Sequence, residues 1–500
     1  MKKIAAFLLT LCMLLGLLSG CGSSAGASGS VDENGGWTGD APKYVFLFIG
    51  DGMSYPQVQL AADYLGAMKD EDYERAQPSK NSIGPILDGP EYLNFMNFPV
   101  AGSAVNYDSN SFAPDSASAA TAIATGHKTY SASLSVDEMG TTKYETIAEK
   151  IHAQTEMKVG IVTSVNVNHA TPGAFYAHQA SRSQYYEIGK ELVNSGFDYF
   201  AGGEFLKVSD LHTLARKAGY TVARTQAEAE ALKASDGKAI IIGETLADSE
   251  SLSYEIDRAE GEWALADYVK KGIELLDNKN GFFMMCEGGK IDWACHANDA
   301  ATVMHDVLAL TDAIQVAIDF AAKHPKETLI LVTGDHETGG MSIGFAGTEY
   351  DTYLTLLENQ KISFKQFDAQ YSVSYNRNTS FESVLADIEE CFGLTVDSKG
   401  KMLKLNGYEQ EVLKTAFEKT VGTLKGMTVQ ESNILYGTYE PITVAITHIL
   451  NNKAGLSWSS FSHTGLPVAV FADGVGAELF GGYYDNTEIF YKLADLLNVE

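Results

Sequence analysis

The chain has 500 residues, is 45% hydrophobic and 20% charged, and carries a formal charge of -29 at neutral pH. This is the composition of a soluble chain able to bury a large core, and so acidic a surface argues against a nucleic acid partner, since phosphate backbones are gripped by Lys/Arg patches. Any site for an anionic small molecule must therefore supply local positive charge from metal ions, an arginine or a helix end.

The N-terminus reads as an export signal: Lys2-Lys3, an apolar run from Ile4 to Leu18, then Leu18-Ser19-Gly20-Cys21. The run is short for a membrane span. Its last four residues resemble the bacterial lipobox, which implies cleavage before Cys21 and a lipid on that sulfur. Residues 1–20 are thus expected to be a signal peptide. Residues 21–42, rich in Gly and Ser, would be a tether holding the protein to the cell envelope outside the cytoplasm. Cys286, Cys295 and Cys391 are too few and too odd in number for a disulfide framework.

Ordered structure is expected from Lys43. Tyr44 to Ile49 is a continuous apolar run ending in Gly50-Asp51-Gly52, the pattern of a strand buried on both faces. The pattern recurs. Lys158 to Thr163 precedes Asn168-His169-Ala170-Thr171, Gly281 to Cys286 precedes Glu287, and Thr328 to Thr333 precedes Gly334-Asp335-His336. Each apolar strand delivers a carboxylate, imidazole or hydroxyl at its end, and in open α/β sheets the ligand site lies at the carboxyl ends of the strands. Helices are expected over Thr142 to Ala153, over Gly261 to Leu276, along the Val303, Val307, Leu310, Ile314, Ala317 stripe, and over Thr487 to Leu497. Strand–helix alternation predicts an α/β fold with a large, mostly parallel central sheet and helices on both faces. The rhythm weakens at about 344–462, which reads as one long insertion in a domain spanning 43–500. Leu466 to Phe471 resumes the sheet, with Pro467 at the strand start where it is tolerated.

Pro114-Asp115-Ser116 followed by an Ala-rich run to Thr125 and Gly126 predicts a helix with Asp115 and Ser116 at its N-terminus. Unpaired N–H groups gather there, a setting suited to phosphate. Ser116 is either a nucleophile or a cap on that evidence alone. The remaining candidates are Asp51, Thr171, Glu287, Asp292, His296, Asp335, His336 and His463. Carboxylates with imidazoles suit zinc, whereas a carboxylate–hydroxyl set suits magnesium. Asp292 and His296, four apart, would share one helix face.

Six segments in this order resemble the alkaline phosphatase family: Phe48 to Met53, Asp115 to Ala122, Asn168 to Pro172, Glu287 to His296, Thr333 to Gly340, and His463-Thr464-Gly465. The resemblance covers Lys43 to Glu500. It implies a first zinc on Asp292, His296 and His463, and a second on Asp51, Asp335 and His336 with the Ser116 oxygen. A third ion, normally magnesium, would sit by Asp51, Thr171 and Glu287, near His169. Arg182 matches the family's phosphate-binding arginine, whose planar fork grips two phosphoryl oxygens. The implied reaction is hydrolysis of small phosphate monoesters through a phosphoserine intermediate, releasing inorganic phosphate. A homodimer is the assembly the family suggests, although no interface is visible in the sequence.

Two departures stand out. His169 replaces an Asp and Trp293 replaces a Lys found in some relatives. Imidazole in place of carboxylate lowers the negative charge at the third site, so magnesium is expected to be held less well there, or another divalent ion to be tolerated. A phosphodiesterase or sulfatase of the same superfamily, and a phosphate-binding lipoprotein, are the alternative functions. The binding reading leaves the metal-type residues unexplained. Asp115 either caps the helix or braces Arg182.

Overall fold

The computed structural model describes residues 29–32, 36–69 and 87–500. The expected signal peptide and Cys21 lie outside them.

Strand alternation sets the architecture. All seven residues of β1 (Tyr44–Gly50) are buried. Tyr44, Phe46 and Phe48 enter one apolar core, whereas Val45, Leu47 and Ile49 enter another, because successive strand side chains point to opposite faces. A strand dry on both faces needs helices on both sides. The other strands of its sheet are β2 (Val100–Val105), β3 (Lys158–Asn166), β4 (Tyr199–Gly203), β5 (Thr221–Ala223), β6 (Ala239–Ile242), β7 (Phe282–Gly288), β8 (Thr328–Gly334), β9 (Val468–Gly474) and β10 (Gly482–Asp485). Their order is β10-β2-β9-β8-β1-β7-β3-β4-β6-β5. All neighbours pair in parallel except β9, which runs antiparallel to β8 and to β2.

On the first face lie α1 (Tyr55–Lys69), α4 (Leu265–Leu276) and α6 (Ala300–Ala321). On the second lie α2 (Ser116–Thr125), α3 (Ile147–Gln154) and α12 (Thr487–Leu497). Helix α6 is the one helix among the described residues long and apolar enough to cross a membrane, but 61% of its apolar window is buried in the protein, so it is a core helix. The short α5 (Lys290–His296) follows β7 directly. Between about 344 and 462 the chain is helical: α7 (Phe364–Gln370), α8 (Phe381–Phe392), α9 (Gly407–Thr420), α10 (Val429–Tyr436) and α11 (Pro441–Ala454). Phe367, Ile388, Leu413 and Ile446 of these helices share the core of Phe46 and Ile314, so this segment is packed onto the sheet domain.

Several boundaries differ from the sequence reading, each for a local reason. Helix α3 starts at Ile147 rather than Thr142, because Thr146 and Glu149 close a capping box and Lys143 instead bridges to Val136. Helix α4 starts at Leu265 rather than Gly261, where the Ala264 N–H donates to Asp267 at 2.9 Å. Glu287 lies inside β7, not after it. Structure also precedes Lys43, since Trp37 bridges to Val31, donates its backbone N–H to Asp495 at 3.3 Å and packs its ring on the second core. Strands β2, β4, β5, β6 and β10 had no counterpart in the sequence reading. They lie towards the two edges of the sheet, where runs are short or mixed with Gly and Ser.

The ends of the two central strands meet closely. Gly50 and Gly334 are paired in register, and a Cβ on Gly334 would stand 1.9 Å from the Met53 carbonyl oxygen. Only hydrogen in place of a side chain lets the loop carrying Asp51 fold over the end of β8. Gly334→Ala is expected to destabilise the protein by about 1–3 kcal/mol through overpacking, read as a lower urea midpoint. An unchanged midpoint would show that this approach is not tight.

Candidate active site

The parallel strands bring their carboxyl ends to one edge, and the candidate residues arrive with them. Asp51 follows β1, Glu287 is the penultimate residue of β7, and Asp335 and His336 follow β8. Asp292 and His296 stand on α5. His169 and Thr171 follow β3, at a short helix over Ala170–Gly173. His463 lies on a two-residue strand, His463–Thr464, paired antiparallel to Glu337–Thr338. That pairing carries a residue from the far side of the 344–462 segment back beside His336.

Two groups of ligand atoms form there. Asp292, His336 and His463 present ligand atoms within 4.8 Å of one another, as do Asp51, Asp335 and His336. His296 joins the first group, its Nε2 3.4 Å from Asp292 Oδ1 and 3.1 Å from His463 Nε2. His336 Nε2 lies 3.3 Å from Asp51 Oδ1 and 3.2 Å from Ser116 Oγ. Thr171 Oγ1 lies 3.3 Å from the other oxygen of Asp51, and both residues reach Glu287. His169 lines the cleft, its ring edge-on to Trp293 at 5.7 Å and its Nδ1 buried without a partner.

The donor set fits metal ions on its own chemistry. His296 Nδ1 lies 2.7 Å from the Phe461 carbonyl and His463 Nδ1 lies 2.6 Å from that of Pro114. A carbonyl oxygen only accepts hydrogen bonds, so both rings donate from Nδ1–H, which turns Nε2 of each towards the other and towards Asp292 as the atom able to bind a metal ion. Asp51, Glu287, Asp292 and Asp335 are all buried together. Burial, with repulsion from the other carboxylates, pushes Asp51 and Asp335 well above the usual range and Glu287 to about 7. Asp292 is the exception: burial opposes its charge, yet His296 and His463 hold it well below. Glu287 Oε1 and Asp335 Oδ2 are buried with no hydrogen-bond partner. Crowded carboxylates with unpartnered oxygens are unfavourable alone and favourable around cations, and the site already draws positive charge inward: burial opposes the charge on His296, yet Asp292 raises its imidazole to about 9.

Ser116 is the first residue of α2 and is buried, with Oγ 3.5 Å from Asp51 Oδ1. The left-handed Gly126 ends this helix, as its sequence predicts. Asp115 performs both of the roles left open for it. Oδ1 accepts the Ser118 N–H at 3.0 Å and caps α2, while Oδ2 pairs with Arg182 Nη1 at 2.9 Å. Burial raises the Asp115 carboxyl, but Arg182 and the donors from Ala132 and Ser118 outweigh it and bring it to about 2. The backbone of Arg182 donates to Ala132 at 2.7 Å. Asp115 thus braces the Arg182 guanidinium while Ala132 holds its backbone, and Arg182 and Ser116 line one cleft of about 570 Å³.

Several contributing residues had no individual signal in the sequence. Thr163 donates to Glu287, and Thr338 donates to Asp292 at 2.6 Å. Glu337 accepts from Gln57 at 2.8 Å and from Thr464, anchoring the strand that carries His463. Thr338 and Glu337 lie inside the Thr333 to Gly340 segment, which was their only available mark. Lys290 was unflagged too. It is fully buried, donates to Ser251 Oγ at 2.8 Å and lies 4.7 Å from the Trp293 ring, so the indole at position 293 has a cation against it.

A family model described as alkaline phosphatase matches residues 42–196 and 189–499. Among curated proteins the chain is 31% identical over 510 residues to alkaline phosphatase 3 of Bacillus subtilis, covering 98% of this chain and 96% of that one. It is 30% identical over 468 residues to alkaline phosphatase 4 of the same organism, covering 90% and 88%. Among solved structures it is similar to the cold-active alkaline phosphatase of a psychrophilic Shewanella, with a TM-score of 0.72, 28% identity, and coverage of 91% of this chain and 99% of that one.

Proposed function

The chain belongs to the alkaline phosphatase family and is a phosphatase, and from that premise we propose that it hydrolyses phosphate monoesters by two displacements through a phosphoserine at Ser116. The observation that carries this reading is the position of one oxygen. Ser116 Oγ stands at the N-terminus of a ten-residue helix, 3.2 Å from His336 Nε2 and 3.5 Å from Asp51, in a cleft it shares with Arg182. When bound, two zinc ions on Asp292, His296 and His463 and on Asp51, Asp335 and His336, with a third divalent ion by Asp51, Thr171 and Glu287, supply Lewis-acid stabilisation of the charged oxygens.

The chain's own residues do the rest. Arg182 grips the phosphoryl group with two parallel N–H donors, and Asp115 fixes the fork so that little entropy is lost on binding. Ser116 Oγ loses its proton to solvent and attacks phosphorus, the bond from phosphorus to the ester oxygen breaks, the leaving alkoxide takes a proton from water, and a phosphoserine forms. Water then attacks the same phosphorus, Ser116 is released, and inorganic phosphate departs. Two in-line displacements retain configuration. The free N–H groups and the dipole at the start of α2 favour the phosphoryl charge throughout.

His169 bears on the third ion. Burial, aided by Arg182, brings its imidazole down to about 3, so it is neutral and adds no negative charge beside Asp51 and Glu287. This supports weak retention of magnesium at that position. The Leu18-Ser19-Gly20-Cys21 sequence supports a further part of the proposal, that the protein acts outside the cytoplasm on a lipid tether at Cys21.

Ser116→Ala is expected to fold and still bind phosphate while losing at least a thousandfold in turnover, on the order of a removed nucleophile; turnover within tenfold of the parent would rule out the phosphoserine route. His169→Asp is expected to bind magnesium about tenfold more tightly, measured by equilibrium dialysis with metal analysis, and equal affinity would remove His169 from the third site. Cys21→Ser is expected to move the protein from the membrane pellet to the soluble exported fraction, and unchanged fractionation would exclude the lipid.

A further inference from the structure

A phosphoryl group at Ser116 fills only the floor of its cleft. The remaining space is walled by the 344–462 segment, which contributes Phe364, Lys365, Asp368, Tyr439 and Glu440. The alcohol of any monoester attacked at Ser116 must lie in this space, so its lining bears directly on which alcohols are accepted.

The wall is aromatic and negative. Phe364 and Tyr439 meet edge to face at 5.9 Å, and Tyr254 meets Phe364 at 5.6 Å. Lys365 is its one cation, and Lys365 is already paired with Asp248 at 3.2 Å. Asp368 accepts from the hydroxyls of Thr443 and Ser372, neither of which brings a charge. Burial raises the Asp368 carboxyl to about 6, which leaves it ionised under alkaline conditions. Glu440 Oε1 is buried with no hydrogen-bond partner. Lys290 lies against the Tyr254 ring at 3.7 Å but is fully buried, and its charge is shared among Asp248, Asp257 and Asp306. Lys365 also offsets part of the Asp368 charge, but this one lysine stands against Asp248, Asp368 and Glu440, so the wall keeps a net negative charge towards the alcohol's space.

We propose that Asp368, Glu440 and the aromatic wall form a leaving-group subsite for phosphomonoesters of cationic alcohols, the amino-alcohol class, and that it rejects alcohols bearing anionic groups. This rests on the monoesterase reading above. An ammonium is attracted by both the carboxylates and the aromatic faces, whereas a second anion meets like charge in a partly dry cleft. The phosphoryl end is common to all monoesters, so the floor cancels when substrates are compared.

The test is kcat/KM at about pH 8, in the metal-replete full chain, for phosphocholine and 3-phosphoglycerate, each taken relative to glycerol 3-phosphate. Phosphocholine is expected to exceed 3-phosphoglycerate by about tenfold or more at low salt, with the gap carried by KM and narrowing at high salt. The double substitution Asp368→Asn, Glu440→Gln is expected to shrink that gap to about twofold. Lys365→Ala, on a half-exposed side chain, frees the Asp248 charge and is expected to widen it, which provides a second reading should the double variant fold poorly. Equal ratios in the parent, or a gap unmoved by both substitutions, would overturn the subsite while leaving the phosphatase reading in place. No turnover of any of the three substrates would overturn the phosphatase reading and the subsite with it.

Discussion

The constraint on which this structure depends is the crowding of Asp51, Glu287, Asp292 and Asp335 into one buried place. Carboxylates removed from water repel one another strongly, and here they are joined by His296 and His463, whose Nε2 atoms are 3.1 Å apart. Nothing about packing calls for such an arrangement. The surrounding architecture holds it in place, with seven wholly buried residues in each of β1, β7 and β8. Each large apolar side chain so buried contributes roughly 1.5–3 kcal/mol. The hydrophobic layers on both faces thus sustain an electrostatically costly edge, and the family's metal dependence gives that cost its use.

Around this edge, hydrogen bonds set direction. The carbonyls of Phe461 and Pro114 fix the tautomers of His296 and His463, and Thr338 orients Asp292. Asp115 links the helix bearing Ser116 to Arg182, so the start of that helix and the guanidinium share one carboxylate. Glu337 secures the strand on which His463 returns to the site. These contacts are made by residues remote in sequence, and each determines where a reactive atom points.

Much of the site was legible before the structure because parallel α/β sheets put chemistry at strand ends. Runs such as Tyr44 to Ile49 and Thr328 to Thr333 could hardly be other than buried strands, and the polar residues just beyond each run are the ones that reach the edge. The central strands and the start of α2 came through well for that reason. The outer strands did not: β2 carries Gly102 and Ser103, and β5 has only three residues, so neither shows a continuous apolar run. The antiparallel sense of β9 was likewise invisible, since an apolar run reads the same in either direction. The 344–462 segment lacked strand rhythm because it is helical, and its part in walling the cleft depends on where those helices pack.

By itself, then, the sequence determined the fold class and the set of side chains at the strand ends, because apolar periodicity is local and additive, and its six ordered segments carried the resemblance to the family. Tertiary structure alone decided that Asp115 both caps and braces, that Lys290 lies buried against Trp293, and that Asp368 and Glu440 line the cleft of Ser116 and Arg182. Those facts are distances between groups far apart in the chain, and only the packing of helices on the sheet sets them.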